Sequence, residues 1–152
     1  MQHWLFKSEP DAFSIDDLSR RPNQTEHWDG VRNYQVRNML RDQIKVGDLA
    51  FFYHSSCTPP GIVGIMKIVK AAYPDESAFN PKSKFFDPKS TPENPRWFMV
   101  DVQLVKKFPQ MITLDEIKNN PLLKDMLVAR RGNRLSITPV TEKEWEVLTR
   151  TK

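Results

Sequence analysis

Three histidines and a single cysteine are the residues best suited to metal or nucleophilic chemistry, and their spacing argues against both. His3, His27 and His54 are scattered, and no two share the i, i+4 spacing that puts a metal-binding pair on one helical face. His54 and Cys57 supply two ligands where a structural zinc site takes four. Cys57 near His54 has the residue types of an activated thiol, because a nucleophile needs a base within hydrogen-bond reach. A lone cysteine is more commonly a small buried hydrophobe. There is no phosphate-cradling glycine loop and no nucleophile elbow. The sequence predicts no metal, no cofactor and no catalytic constellation.

Aromatic and basic side chains say more. Trp28 lies in a polar, glycine-containing run, residues 25–33, read as a connection between two helices. Its ring has no periodic apolar face to join. It either folds back over the core or walls a pocket in which a flat ring stacks on a nucleobase, an interaction of about 1–3 kcal/mol. Arg37 and Arg41 are four apart and share a helical face. With Arg32 they form a basic track, either a solvated flank or a set of phosphate contacts. Lys82, Lys84 and Lys89 beside Phe85 and Phe86, with Arg130, Arg131 and Arg134 further on, suit loops that follow a nucleic-acid backbone. Two strand ends, Lys7-Ser8-Glu9-Pro10 and Tyr53-His54-Ser55-Ser56, carry small polar groups that either match a base edge or make an ordinary turn.

These residues need elements to hold them. Residues 3–7 predict a strand with Trp4 and Phe6 on one face and Leu5 on the other. Residues 48–54 are apolar on both faces, as in a covered sheet, and residues 61–69 return as the partner strand of a hairpin. Residues 97–105 alternate, and residues 135–138 form a last short strand. Ser14, Thr113 and Thr141 each precede an acidic residue by three and open a helix. Asn33 caps another, with Val36, Met39 and Leu40 inward. Five prolines among residues 74–96 exclude regular structure there, while Phe79, Phe85 and Phe86 make that stretch too apolar for a linker. The expectation is one α+β domain over residues 1–152, a small, partly open mixed barrel with short peripheral helices.

The whole chain agrees. Its 152 residues, 39% hydrophobic and 28% charged, suit one globular core. No apolar run nears the roughly 20 residues needed to cross a bilayer. The N-terminal residues lack a signal-peptide pattern and the lone cysteine suits a reducing compartment, so a soluble cytoplasmic protein is expected. A net charge of +4 raises the prospect of an anionic partner.

Several separated motifs, in one order along nearly the whole chain, resemble the EVE domain, the family of thymocyte nuclear protein and its stand-alone bacterial relatives. They are Trp4-Leu5-Phe6-Lys7-Ser8-Glu9-Pro10, Trp28-Asp29-Gly30-Val31-Arg32-Asn33-Tyr34-Gln35-Val36-Arg37-Asn38, Phe51-Phe52-Tyr53-His54-Ser55 and Arg134-Leu135-Ser136-Ile137-Thr138-Pro139-Val140-Thr141. The resemblance implies a PUA-like pseudo-barrel related to YTH domains, and a non-catalytic reader of modified bases, chiefly modified cytosine in DNA. It assigns the pocket to Lys7, Ser8 and Trp28, extended to Val31, Asn33, Tyr53, His54 and Ser55. Arg32, Arg37, Lys82, Lys84 and Arg130 are the expected backbone contacts. A bacterial, monomeric protein free in the cytoplasm or at the nucleoid is expected, with no membrane partner. The alternatives are an RNA reader of the YTH or PUA type and a small enzyme acting on modified nucleosides through His54 with Cys57 or Glu9.

Overall fold

In the computed structural model, which describes residues 2–150, two adjacent strands are apolar on both faces. β1 (His3–Ser8) and β3 (Leu49–His54) pair in parallel, from His3 opposite Leu49 to Ser8 opposite His54. Side chains switch face at every residue of a strand. Trp4 and Phe6 therefore join Ala50 and Phe52 in one core, while Leu5 joins Phe51 and Tyr53 in a second core across the sheet. Such double burial requires covered faces and a central position.

The six strands run in the order β2 (Thr25–Trp28), β5 (Phe98–Thr113), β4 (Gly61–Pro74), β3, β1 and β6 (Ile137–Val140). Every ladder except β1 with β3 is antiparallel. Among the described residues no ladder joins β2 to β6, so the mixed sheet is not closed, in keeping with the partly open barrel expected. Helices α1 (Ile15–Arg20) and α2 (Tyr34–Asp42) put Ile15, Leu18, Val36, Met39 and Leu40 into the first core. Helices α3 (Leu114–Lys118) and α4 (Glu142–Arg150) put Ile117, Trp145 and Leu148 into the second. The α+β arrangement with short peripheral helices forms as expected.

The helix starts are where the sequence puts them. Ser14 and Asp17 close a capping box, and Thr141 and Glu144 close another. Thr113 accepts from the Glu116 amide and Asn33 from that of Val36. Each such cap is worth about 1 kcal/mol. Among the described residues no helix is long and apolar enough to cross a membrane.

Four strands differ from expectation by more than one residue. Residues 25–28 are an edge strand along β5 rather than part of an inter-helix connection. Thr25, Glu26 and His27 face solvent wholly or in part, so the segment lacks an apolar signature. β4 and β5 run on to Pro74 and Thr113, and register shifts along their ladder break the alternation that would reveal their length. The last strand begins at Ile137, two residues late.

Residues 75–97 form an ordered excursion. The Asp75 amide donates to the Trp97 carbonyl at its base (2.9 Å), and the Asp87 amide to that of Ala78 (2.9 Å). Trp97 Nε1 donates to the Asp87 carboxylate at 2.7 Å.

Candidate functional site

Where β1 ends beside the β2 turn, the first core is not covered over, and a cleft of about 540 Å³ remains. Lys7, Ser8 and Glu9 border it from the end of β1, Glu26, His27 and Trp28 from β2, and Asp29 and Gly30 from the turn that follows. Phe13, Arg21, Lys84 and Phe85 complete the rim together with Ala12.

Trp28 answers both sequence readings at once. It is 8% exposed and belongs to the first core, yet it borders the cleft. Its ring meets Phe6, Phe13 and Phe52 edge to face, with centroids 5.3, 6.2 and 5.4 Å away. Three edge-to-face contacts hold the indole in one orientation before anything binds, so a planar ligand meets a preset surface.

The wall opposite depends on Gly30 and on a buried ion pair. Gly30 has φ +80°, a left-handed conformation that side-chain-bearing residues rarely adopt. A methyl there would lie 2.6 Å from the Phe85 ring. Asp75, fully buried, accepts from the Gly30 amide (2.9 Å), from Arg32 Nη1 (3.1 Å) and from the Ser77 amide (2.9 Å). Arg32 also gives Nε and Nη2 to the Phe85 carbonyl, at 3.1 and 2.6 Å. This clasp fixes Phe85 against the turn.

Three groups that border the cleft have shifted affinities for protons. Burial acts to raise the Glu26 carboxyl, but the hydrogen bonds from Arg21 and the His27 amide prevail and hold it low. Burial pushes the Lys7 ammonium below its usual range, and its Nζ has no ion-pair partner among the described residues. Burial, aided by the nearby Asp75 charge, raises the Asp29 carboxyl. The Ser8 hydroxyl donates to the Phe13 carbonyl at 2.6 Å, which leaves its oxygen as an acceptor. The cleft thus offers a donor, acceptors and an aromatic surface.

Of the expected pocket residues, Lys7, Ser8 and Trp28 come together here. The other five lie off the cleft rim. Val31 packs into the first core, and the Asn33 side chain is spent capping α2. Tyr53 points through the sheet into the second core, where burial pushes its hydroxyl up to about 12. His54 Nε2 accepts from the Ile15 amide at 3.1 Å, starting α1, and burial lowers its proton affinity. The Ser55 amide donates to the Ser8 carbonyl, bracing the strand end. Arg32 was expected on a phosphate, but its guanidinium is committed to Asp75 and Phe85. Arg37 lies over the Tyr34 ring and donates to the Arg96 carbonyl. Lys82 and Arg130 are exposed away from the rim, and Lys84 stands on it.

The Cys57 thiol contacts the Pro59 carbonyl at 3.5 Å while His54 serves α1, so neither activates the other. Among the described residues no group of three His, Cys, Asp or Glu side chains is placed to hold a metal ion. A larger hollow of about 680 Å³ lies at the β1–β6 edge beside Gln2 and Glu142, but its aromatics are already engaged. There His3 stacks on Trp145 (4.4 Å), and Trp4 is buried with its Nε1 donating to Asp48 (3.0 Å).

Residues 2–151 match the family described as EVE domain. The chain is 50% identical over 161 residues to thymocyte nuclear protein 1 of Gallus gallus and 48% identical over 162 residues to that of Homo sapiens. Those alignments take in 95% of this chain and 66% and 71% of the relatives, so the chain spans about two thirds of their length. Among solved structures it resembles human THYN1 protein in complex with 5-methylcytosine-containing DNA, with a TM-score of 0.92 at 46% identity over 99% of this chain and 97% of that one. A Pseudomonas syringae protein gives the same TM-score and identity over 98% of both chains.

Proposed function

The chain belongs to the EVE domain family and has its PUA-like fold, and from this we propose that it is a non-catalytic nucleic-acid reader that takes a modified base, a cytosine in DNA, into the Trp28 cleft. The observation that carries the proposal is the preset Trp28 ring bordering a 540 Å³ cleft with the unpaired Lys7 ammonium and the half-buried Asp29 carboxylate beside it. The human relative bound to 5-methylcytosine-containing DNA supports the choice of ligand.

A base leaving its stack costs a few kcal/mol, which ring stacking and edge hydrogen bonds offset. Trp28 stacks on the base. Asp29 accepts from its exocyclic amino group, while Lys7 donates to a ring or carbonyl acceptor. Unmatched, the Lys7 ammonium would remain desolvated without a partner and Asp29 would keep only its long 3.6 Å contact with His27, which penalises bases that lack the complementary edge. Burial of one added methyl contributes only about 0.8 kcal/mol, so preference for a methylated base is modest. Lys84 at the rim, with Lys82 and Arg130 further out, meets the phosphates. No step requires a bond to be made or broken.

The test is anisotropy titration of labelled single-stranded oligonucleotides carrying cytosine, 5-methylcytosine or 5-hydroxymethylcytosine, with ribose-backbone counterparts. Trp28→Leu keeps most of the apolar volume and removes the flat ring. Affinity falls about 5- to 150-fold on this substitution if stacking holds the base. Affinity within twofold of the wild type would overturn the reading.

A further inference from the structure

From the cleft wall outward, five side chains stack in succession. Phe85, on the rim, lies 5.4 Å from the Arg32 guanidinium. Arg32 lies 5.3 Å from the Trp97 ring, and Trp97 stacks on Tyr34 with centroids 4.8 Å apart and planes 29° off parallel. Arg37 then covers Tyr34 at 4.9 Å. Trp97 is 6% exposed but Tyr34 is 51% exposed, so the column begins at the cleft and ends in solvent.

We propose that the Tyr34–Arg37 end of this column is a second nucleotide subsite, which stacks a base flanking the one in the cleft, on the same single strand. The proposal rests on the cleft reading. Tyr34, backed by the buried Trp97, holds the Arg37 guanidinium plane in place without a ligand, and a fixed planar surface is what a sequence-tolerant stacking step needs. The Arg37 guanidinium has no carboxylate partner among the described residues and is anchored by the Arg96 carbonyl at 2.9 Å and by Asn38 at 2.9 Å. Its plane is a stacking surface in its own right and its charge suits the adjoining phosphate. The neighbouring Arg41 differs, because Asp42 already pairs with it. The column is continuous with the cleft through Phe85 and Arg32, so one strand can reach both places. Nucleic acid is the partner that combines a flat apolar face with a negative charge at every residue.

A thermodynamic cycle tests this. The ligand is a labelled single strand with one 5-methylcytosine, and an abasic spacer replaces each of the two neighbours on either side in turn. In the wild type one spacer weakens binding about 5- to 150-fold. In Tyr34→Ala the intact strand binds as weakly as that spacer strand does to the wild type, and the spacer then costs nothing more. Tyr34→Phe restores the difference. If every spacer costs the same in both proteins, or Tyr34→Ala binds as the wild type does, the subsite is overturned. Trp28→Leu run in parallel separates the two failures. Loss with Trp28→Leu but none with Tyr34→Ala leaves the cleft standing alone, and loss with neither removes both. Arg37→Gln, at a half-buried position that belongs to neither core, repeats the cycle without uncovering Trp97.

Discussion

The Arg32 guanidinium and the Asp75 carboxylate, 43 residues apart in the chain, meet at 3.1 Å with the carboxylate fully buried. Their pairing joins the turn after β2 to the excursion that carries Phe85. Removing one partner leaves an uncompensated buried charge, which costs about 3–5 kcal/mol. Arg32→Ala is therefore expected to lower the urea midpoint sharply. Lys84→Gln should leave the midpoint in place and instead reduce the slope of log affinity against log salt by about 0.7 for a single strand.

Gly30→Ala tests the wall directly. The left-handed backbone alone penalises a side chain by about 1–2 kcal/mol, and the new methyl would also displace the Phe85 ring. Thermal unfolding of Gly30→Ala, Phe85→Ala and the double variant separates the two effects. The double variant should lose less than the sum of the singles, because removing the ring also removes the collision. Strict additivity would mean that the ring is not in the way.

His54 links α1 to pH. Burial lowers its proton affinity, the nearby Asp16 opposes that shift and Lys107 adds to it. A histidine whose folded pKa lies below the unfolded value contributes stability that is complete well above pH 6.5 and is lost as pH falls through the folded value. Protonation would also end the bond from the Ile15 amide. Denaturant midpoints measured from pH 8 to pH 5 should fall toward acid, and less so in His54→Gln. Some slope should persist in that variant, because burial lowers His3 in the same sense.

Asp29 gives binding its own pH dependence. Its carboxyl is raised by burial and by Asp75, so it takes up a proton at higher pH than an ordinary carboxylate. Oligonucleotide affinity that uses the ionised carboxylate as an acceptor should weaken on acidification ahead of the usual aspartate range. Asp29→Asn, which keeps an acceptor oxygen but cannot titrate, should flatten that part of the profile. An unchanged profile would remove Asp29 from the base edge.

The sequence carries the helix starts plainly, because a cap and its acidic partner lie three residues apart. It carries the double burial of β1 and β3 too, because strand alternation is local. Even the position of Tyr53 follows from that alternation, since it must face away from Phe52 and so from Trp28. The edge strand β2 is hidden because most of its side chains face water. Arg32 and Arg37 read alike in one dimension. Only Asp75, far along the chain, turns the first into a buried clasp and leaves the second on the surface. The cleft itself is the place where several separate segments fail to close, and no single stretch of sequence records that.

Lys7 and Ser8 are the last two rungs of the parallel ladder, and the Lys7 amide is bonded on its other side to the Ser136 carbonyl. That half of the site is thus part of the innermost framework, and its amide protons should exchange only when the whole molecule opens. A guest gains nothing by ordering what is already rigid. Any give that lets the slot fit guests of different breadth must come from the opposite bank, which one arginine and one glycine hold in place.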